Sequence, residues 1–173
     1  MTCKVPVLTC LFAVLLLALG SVAMAEHSQV PVVRIHTRAD IAASPATVWA
    51  WMTQGKNLVT WCPEWKAPAN ARASITKIGD VLDYTDQWGN GGRSVVTYMV
   101  KGKELRVAHE PTKGDYICQA KFILEPDGAG TRVTYWEQYT DESRPTDVQA
   151  TAQKMETEIA NMLAALKKGV EKK

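Results

Sequence analysis

The segment from Pro145 to Lys168 constrains the fold most, because it predicts one long amphipathic helix near the end of this 173-residue chain. Ser143 is the predicted N-cap, Pro145 fits the first helical turn, and Asp147 favours the positive end of the helix. Gly169 is predicted to end it. Apolar residues recur on one face with a period of 3.6, at Val148, Met155, Ile159, Met162, Leu163 and Leu166. No upstream segment predicts a helix of similar length, so we expect this face to lie against a sheet.

The N-terminus has the pattern of a secretory signal peptide. A short basic start is followed by apolar Val5 to Leu19 and by the small-x-small cleavage motif Ala23-Met24-Ala25. We predict a signal peptide over residues 1–25 and a mature domain over residues 26–173, located in the periplasm or secreted. The alternative is an uncleaved anchor, because Val5 to Ala25 carries no charge and could span a bilayer. After cleavage we expect no stable membrane insertion.

The composition of the mature domain excludes several functional classes. Removal of Lys4 from the 20 basic residues leaves 19 against 18 acidic residues, which predicts no nucleic-acid partner. Cys62 and Cys118 remain, and they either form a disulfide or are buried as separate thiols. The histidines show no ligand spacing with them, and no nucleophile, phosphate-loop or dinucleotide motif is present. We therefore predict no metal and no cofactor.

The middle of the chain predicts strands. Val32 to Ile41 alternates between apolar and polar residues, which is typical of a half-buried strand. Ser44 and Pro45 open a short helix, and Asn57 to Trp61 predicts a second helical turn. Six strands joined by short turns follow, at Arg72–Ile78, Val81–Trp88, Arg93–Lys101, Glu104–Glu110, Asp115–Glu125 and Thr131–Thr140. We therefore predict an α+β domain with a seven-stranded antiparallel sheet curved around the C-terminal helix.

Three local motifs fit this order of elements. They are Ile41-Ala42-Ala43-Ser44-Pro45-Ala46-Thr47-Val48-Trp49, Asn57-Leu58 followed by Trp61-Cys62-Pro63, and Gly130-Thr131-Arg132-Val133-Thr134. With them, the chain from Val32 to Leu166 resembles the polyketide cyclase/dehydrase-like branch of the SRPBCC (START-like) superfamily, which has the helix-grip fold. The resemblance implies a ligand cavity between the concave sheet face and the long helix. The superfamily includes lipid carriers, hydrophobic-ligand binders, cyclases and oxygenase subunits, so the fold does not settle the function.

Alternation along the strands and periodicity along the helix select the candidate ligand-binding residues. The strand Arg93–Lys101 leaves two possibilities, with either Val96 and Tyr98 or Val95 and Met99 inside. The candidates form an aromatic and aliphatic wall with few polar groups, which is typical of a ligand pocket, although a filled core is the alternative. The set is Tyr84, Tyr98, His109, Tyr116, Phe122, Tyr135, Glu137, Tyr139, Met155 and Met162.

For Glu137 and for the inward residues of the helix, the sequence predicts more specific roles. Glu137 is a carboxylate on an apolar face, so it must be paired or neutralised, and it either serves the ligand or lies at a rim reaching solvent or an arginine. On the helix, we expect Met155 and Met162 to touch the ligand, because methionine adapts to irregular shapes. We expect Ile159 and Leu166 to hold the helix down.

The sequence therefore leads to three functional hypotheses. The first is an exported protein that binds a hydrophobic ligand such as a lipid, an isoprenoid or a polyketide-like molecule, with no residue assigned a catalytic role. The alternative is a cofactor-free cyclase or hydratase that uses Glu137, His109 and pocket tyrosines. The third is an interaction protein that presents Trp136 or a sheet edge, although the sequence identifies no protein partner.

Overall fold

The computed structural model describes residues 31–65, 74–85, 89–113, 116–141 and 147–172. The predicted signal peptide, the cleavage site before Glu26, Ser143, Pro145 and Trp88 lie outside the described residues. Within the described ranges, no helix has the length and apolarity needed to cross a membrane.

The described residues form one sheet, three α-helices and one 3₁₀ turn. The strands are β1 (Val32–Ile41), β2 (Val81–Thr85), β3 (Gly91–Val100), β4 (Glu104–Pro111), β5 (Tyr116–Asp127) and β6 (Gly130–Asp141). The helices are α1 (Pro45–Thr53), α2 (Gly55–Trp61) and α3 (Val148–Glu171), and the 3₁₀ turn is Pro63–Trp65.

The sheet is antiparallel throughout, with the strand order β1-β6-β5-β4-β3-β2. The first strand therefore pairs with the last, from Val32 opposite Thr140 to Ile41 opposite Thr131. Helix α3 packs on β1, α1 and α2, and its apolar face closes the core against the inner face of the sheet. This is the predicted helix-grip arrangement, and it places the space between sheet and α3 at the centre of the molecule.

The described part of the sheet has six strands, so the prediction of a strand at Arg72–Ile78 is wrong for residues 74–78. These residues are held instead by the side chain of Asp80. Its carboxylate accepts the backbone N–H groups of Thr76 at 2.6 Å and Lys77 at 3.0 Å. Local hydrogen bonds of this kind replace the ladder bonds of a strand. Gly79, at φ +88°, then turns the chain into β2.

Both ends of α3 differ from the prediction of Pro145–Lys168. Asp147 is the N-cap and accepts the N–H of Ala150 at 3.0 Å. Gly169 does not end the helix, which continues for two residues. A Cβ at that position would lie 2.7 Å from Nε1 of Trp51, so the glycine allows a close approach rather than a stop. Beyond it, Glu171 accepts the N–H of Ala42 at 2.7 Å and ties the last turn to the residue that follows β1.

The apolar face of α3 is the predicted one except at its first residue. Val148 is 38% exposed, because it begins the helix beyond the edge of the core. The buried residues of this helix are Met155, Ile159, Met162, Leu163, Leu166 and Val170.

Candidate functional site

A cavity of about 50 Å³ lies between α3 and the inner face of β4, β5 and β6. Its wall is mostly apolar and aromatic, and 17 residues contribute to it. Nine of the ten candidate residues are among them, namely Tyr84, His109, Tyr116, Phe122, Tyr135, Glu137, Tyr139, Met155 and Met162. The others are Cys62, Glu64, Trp65, Val107, Cys118, Ala120, Glu158 and Ile159.

The pairing of β5 with β6 brings the central part of this wall together. Phe122 lies opposite Tyr135, and Ala120 lies opposite Glu137. Because side chains alternate across a strand, both pairs point to the same face. The small side chain of Ala120 leaves space in front of Glu137, while the rings of Phe122 and Tyr135 pack at 4.8 Å between centroids.

Tyr98 is the candidate that the structure places elsewhere, so its predicted position in the cavity is wrong. Strand β3 has a bulge, since Val96 lies opposite Val107 but Tyr98 lies opposite Arg106, which leaves Thr97 as an extra residue. The bulge keeps Val96 inside and turns Tyr98 outward, where it is 39% exposed. The Arg106 guanidinium lies 4.6 Å from the centroid of its ring, a cation–π contact.

Trp136, which the third hypothesis singled out, is also on the outer face. Its side chain is 42% exposed, and its ring lies 4.1 Å from that of His36 between centroids. The Lys121 amine is 5.5 Å from the centre of the Trp136 ring. The ring therefore packs against neighbours on both adjoining strands.

Glu137 is buried in the cavity wall rather than at a solvated rim. Its side chain accepts a hydrogen bond from the Tyr135 hydroxyl at 2.5 Å and from the Cys118 thiol at 2.8 Å. Burial raises the pKa of the Glu137 carboxyl, while these two hydrogen bonds act in the opposite direction. Burial and the neighbouring Glu137 carboxyl also raise the pKa of Tyr135, which keeps the phenol protonated. The cavity thus contains a hydrogen-bonded acid that desolvation favours in its neutral form.

Both cysteines line this cavity as free, buried thiols, so of the two alternatives the structure has the separate thiols. Burial, followed by the nearby Glu64 carboxylate, raises the pKa of Cys62 well above its ordinary value. A thiol with a raised pKa is a weak nucleophile, because the thiolate is the reactive form. Cys62 therefore contributes apolar wall, and Cys118 contributes a hydrogen bond to Glu137.

His109 is positioned by residues that the sequence did not single out for this role. The Trp65 Nε1–H donates to Ser94 Oγ at 2.9 Å, and Ser94 Oγ lies 2.9 Å from His109 Nδ1. Burial lowers the pKa of His109 to about 4, so the ring is neutral at ordinary pH. Ser94 is directly opposite His109 in the β3–β4 register. The sequence did contain a signal for the Ser94–His109 pair, because Ser94 is a small polar residue on the inner face of β3, the face that His109 shares.

Tyrosines close the cavity beside His109. The hydroxyls of Tyr84 and Tyr116 are hydrogen-bonded to each other, and the ring of Tyr139 lies 5.6 Å from that of Tyr116. Gly92 makes room for this arrangement, because a Cβ there would lie 2.6 Å from the Tyr84 hydroxyl oxygen. The same Cβ would also lie 2.3 Å from the Glu110 carbonyl oxygen.

A groove of about 400 Å³ adjoins the cavity between α2, the 3₁₀ turn and α3. The two spaces share four wall residues, Glu64, Glu158, Ile159 and Met162, which therefore stand between them. Glu158 was missed in the sequence, although it lies three residues after Met155 and four before Met162 on the helix. Within the described residues, no three His, Cys, Asp or Glu side chains are placed to hold a metal ion.

Comparison with solved structures shows the same fold in proteins of low sequence identity. Protein CV1439 from Chromobacterium violaceum is 14% identical, with a TM-score of 0.64 over 81% of this chain and 98% of that chain. Truncated norcoclaurine synthase from Thalictrum flavum is 14% identical, with a TM-score of 0.61 over 83% and 96%. The Aha1 protein from Colwellia psychrerythraea is 22% identical, with a TM-score of 0.57 over 81% and 97%.

No curated protein sequence matches the chain significantly. The sequence model of one protein family, described as "Polyketide cyclase / dehydrase and lipid transport", matches residues 32–171. This match spans nearly all the described elements, from β1 to the last turn of α3. The chain therefore belongs to the polyketide cyclase/dehydrase and lipid transport family, as the resemblance in its sequence predicted.

Proposed function

We propose that the protein is an exported carrier or receptor that binds a hydrophobic small molecule between the sheet and α3. The observation that carries this proposal is the cavity itself, whose apolar wall contains a few convergent polar groups. The family's description, which includes lipid transport, supports a ligand of this kind. The signal-peptide pattern over residues 1–25 supports a location in the periplasm or outside the cell.

The cavity is smaller than a usual ligand pocket, so binding requires additional space. A volume of about 50 Å³ has room for a few water molecules, whereas pockets for drug-sized ligands have about 300–1,000 Å³. The adjoining groove supplies about 400 Å³, and Met162 stands between the two spaces. Because a methionine side chain is flexible, its rotation could join them without moving the backbone. We propose that the ligand occupies this joined space.

A cavity-filling substitution tests the proposal. Ala120→Leu places extra carbon atoms in front of Glu137, so we expect the affinity for a hydrophobic fluorescent probe to fall at least tenfold. Gln119→Leu is the matched control, because the neighbouring residue is exposed on the outer face of the same strand. Native mass spectrometry of gently purified wild-type protein would identify a retained ligand. Unchanged probe binding by folded Ala120→Leu would show that this cavity is not the site.

An enzyme is the second candidate, and one observation favours it. Glu137 and His109, two groups that could act as acid or base, line the same cavity with pKa values shifted by burial. Such groups could support a cofactor-free cyclisation or hydration through placement and proton transfer. The two functions are distinguished by the recovered ligand. A binder releases it chemically unchanged, whereas an enzyme converts it at a rate that Glu137→Gln abolishes.

A further inference from the structure

The hydrogen bonds around His109 determine which ring nitrogen carries its proton. An indole N–H can only donate, so Trp65 donates to Ser94 Oγ at 2.9 Å. Ser94 is fully buried, and the described residues offer its hydroxyl one other partner, His109 Nδ1 at 2.9 Å. The hydroxyl proton of Ser94 therefore goes to Nδ1. A neutral imidazole that accepts at Nδ1 carries its own proton on Nε2.

The Nε2–H of His109 is left available to a ligand. Among the residues that the structure describes, none forms a hydrogen bond with this nitrogen. Nε2 lies on the side of the ring away from Ser94, and the ring lines the cavity beside Tyr84, whose plane is perpendicular to it at 5.2 Å between centroids. His109 is only partly buried and solvent can reach this donor, so a ligand atom that replaces solvent and accepts the hydrogen bond within the mostly apolar cavity gains affinity.

The charges around the cavity limit the chemistry of that ligand atom. Glu64 and Glu158 line the cavity together with Glu137, the acid that burial favours in its neutral form, and no lysine or arginine is among the described residues that do so. A carboxylate or phosphate would therefore enter an apolar space without a counter-ion and near acidic side chains, which is costly. A carbonyl oxygen accepts a hydrogen bond without carrying a charge.

We infer that His109 is the specificity-determining residue of the cavity, and that its Nε2–H binds a carbonyl oxygen of an uncharged hydrophobic ligand. Ser94 and Trp65 are positioning residues that hold the imidazole in the required tautomer. The inference rests on the proposed binding function and narrows it, because fatty acids and other hydrophobic anions are excluded from this site.

The tautomer can be measured without any ligand. The ¹⁵N NMR signals of the His109 ring, identified by their absence in His109→Phe, should show a protonated Nε2 and an unprotonated Nδ1 at neutral pH. Ser94→Ala removes the donor to Nδ1 and should populate both tautomers. A wild-type ring that carries its proton on Nδ1 would overturn the inference.

Three small probes test the ligand class by ligand-detected NMR titration. They are acetophenone, α-methylstyrene, in which CH₂ replaces the carbonyl oxygen, and benzoate. His109→Phe should weaken acetophenone binding about three- to tenfold, the usual effect of one hydrogen bond, and leave α-methylstyrene binding nearly unchanged. Tyr98→Phe, on the outer face, is the control and should alter neither. Benzoate should bind more weakly than acetophenone.

The outcomes separate this inference from the proposed function. If both uncharged probes bind but lose the same affinity in His109→Phe, the histidine is a packing residue and the inference fails while binding stands. Benzoate that binds as tightly as acetophenone would overturn the exclusion of anions. If neither uncharged probe binds the wild-type protein, the proposed binding function fails, and the inference fails with it.

Discussion

At the scale of single residues, the cavity places polar groups in apolar surroundings, and the hydrogen bonds that each group forms differ. Glu137 receives two hydrogen bonds, from Tyr135 and Cys118, whereas His109 receives one and keeps a free donor. Burial favours the neutral form of both residues, which raises the pKa of the acid and lowers that of the base. Their contributions to stability therefore change with pH in opposite directions.

We predict that His109 makes the protein less stable in mild acid. The unfolded chain protonates this residue below about pH 6.5, but the folded protein does so only below about pH 4. Unfolding therefore takes up a proton between these values, and the folded state loses about 3 kcal/mol as the pH falls through this window. Glu137 acts in the opposite sense, because its raised pKa makes the folded state lose stability as the pH rises above about 4.5.

The test is to measure the free energy of unfolding by denaturant for the wild-type protein and for His109→Phe from pH 8 to pH 4. The difference between the two curves gives the contribution of the histidine, because Glu137 and the other titrating groups are present in both proteins. The wild-type protein should lose about 3 kcal/mol more than the variant over this range. Parallel curves would mean that His109 takes up a proton in the folded state as readily as in the unfolded chain.

At the scale of elements, the sequence predicts periodic surfaces well and their interruptions poorly. The buried face of α3 and the alternation of β4, β5 and β6 followed from the pattern, because each depends on which residues avoid water. The bulge at Thr97 and the continuation of α3 through Gly169 did not. Both depend on distant partners, namely the β4 register and the Trp51 ring.

The same limit applies to the candidate site. Alternation along the strands and periodicity along α3 selected ten candidates, and nine of them line the cavity. Alternation failed at Tyr98 because one extra residue reverses every position after it. The residues around His109 were missed because a hydrogen bond between Trp65 and Ser94 joins a 3₁₀ turn to a strand. On α3, Ile159 lines the cavity beside the two methionines, and its main role in holding the helix down stays a prediction.

We predict that two residues of α3 separate stability from binding. Leu166 is fully buried and does not line the cavity, so Leu166→Ala should cost about 2–5 kcal/mol and leave probe affinity unchanged. Met162→Ala enlarges a space that already exists, so it should cost less stability and alter probe affinity. Thermal unfolding and titration of a hydrophobic fluorescent probe provide the two measurements. If both variants lose the same stability and bind the probe like the wild-type protein, α3 only seals a filled core.

At the scale of the whole molecule, the described domain is a curved sheet whose first strand contacts its last strand and its last helix. Strand β1 pairs with β6 and also packs under α3, so the N-terminal strand contacts both C-terminal elements. The first described strand begins at Val32, a few residues after the proposed cleavage site. Removal of residues 1–25 would therefore leave every described element intact.

We predict that the mature protein begins at Glu26. N-terminal sequencing or intact mass measurement of protein recovered from the exported fraction provides the test. Replacing Ala25 with a bulky charged residue, as in Ala25→Arg, should block cleavage, because the motif requires small side chains. Exported protein that begins at Met1 would show an uncleaved anchor instead.

The pairing of β1 with β6 also sets the order of events during synthesis. Its partners are separated by almost the whole domain, so this contact has a large loop-closure entropy and forms late. A chain still attached to the ribosome has an unpaired first strand and no α3 to cover it, and it cannot complete the core until the last helix emerges. We therefore expect folding to wait until α3 has emerged, so the proposed export would act on a chain that is still unfolded.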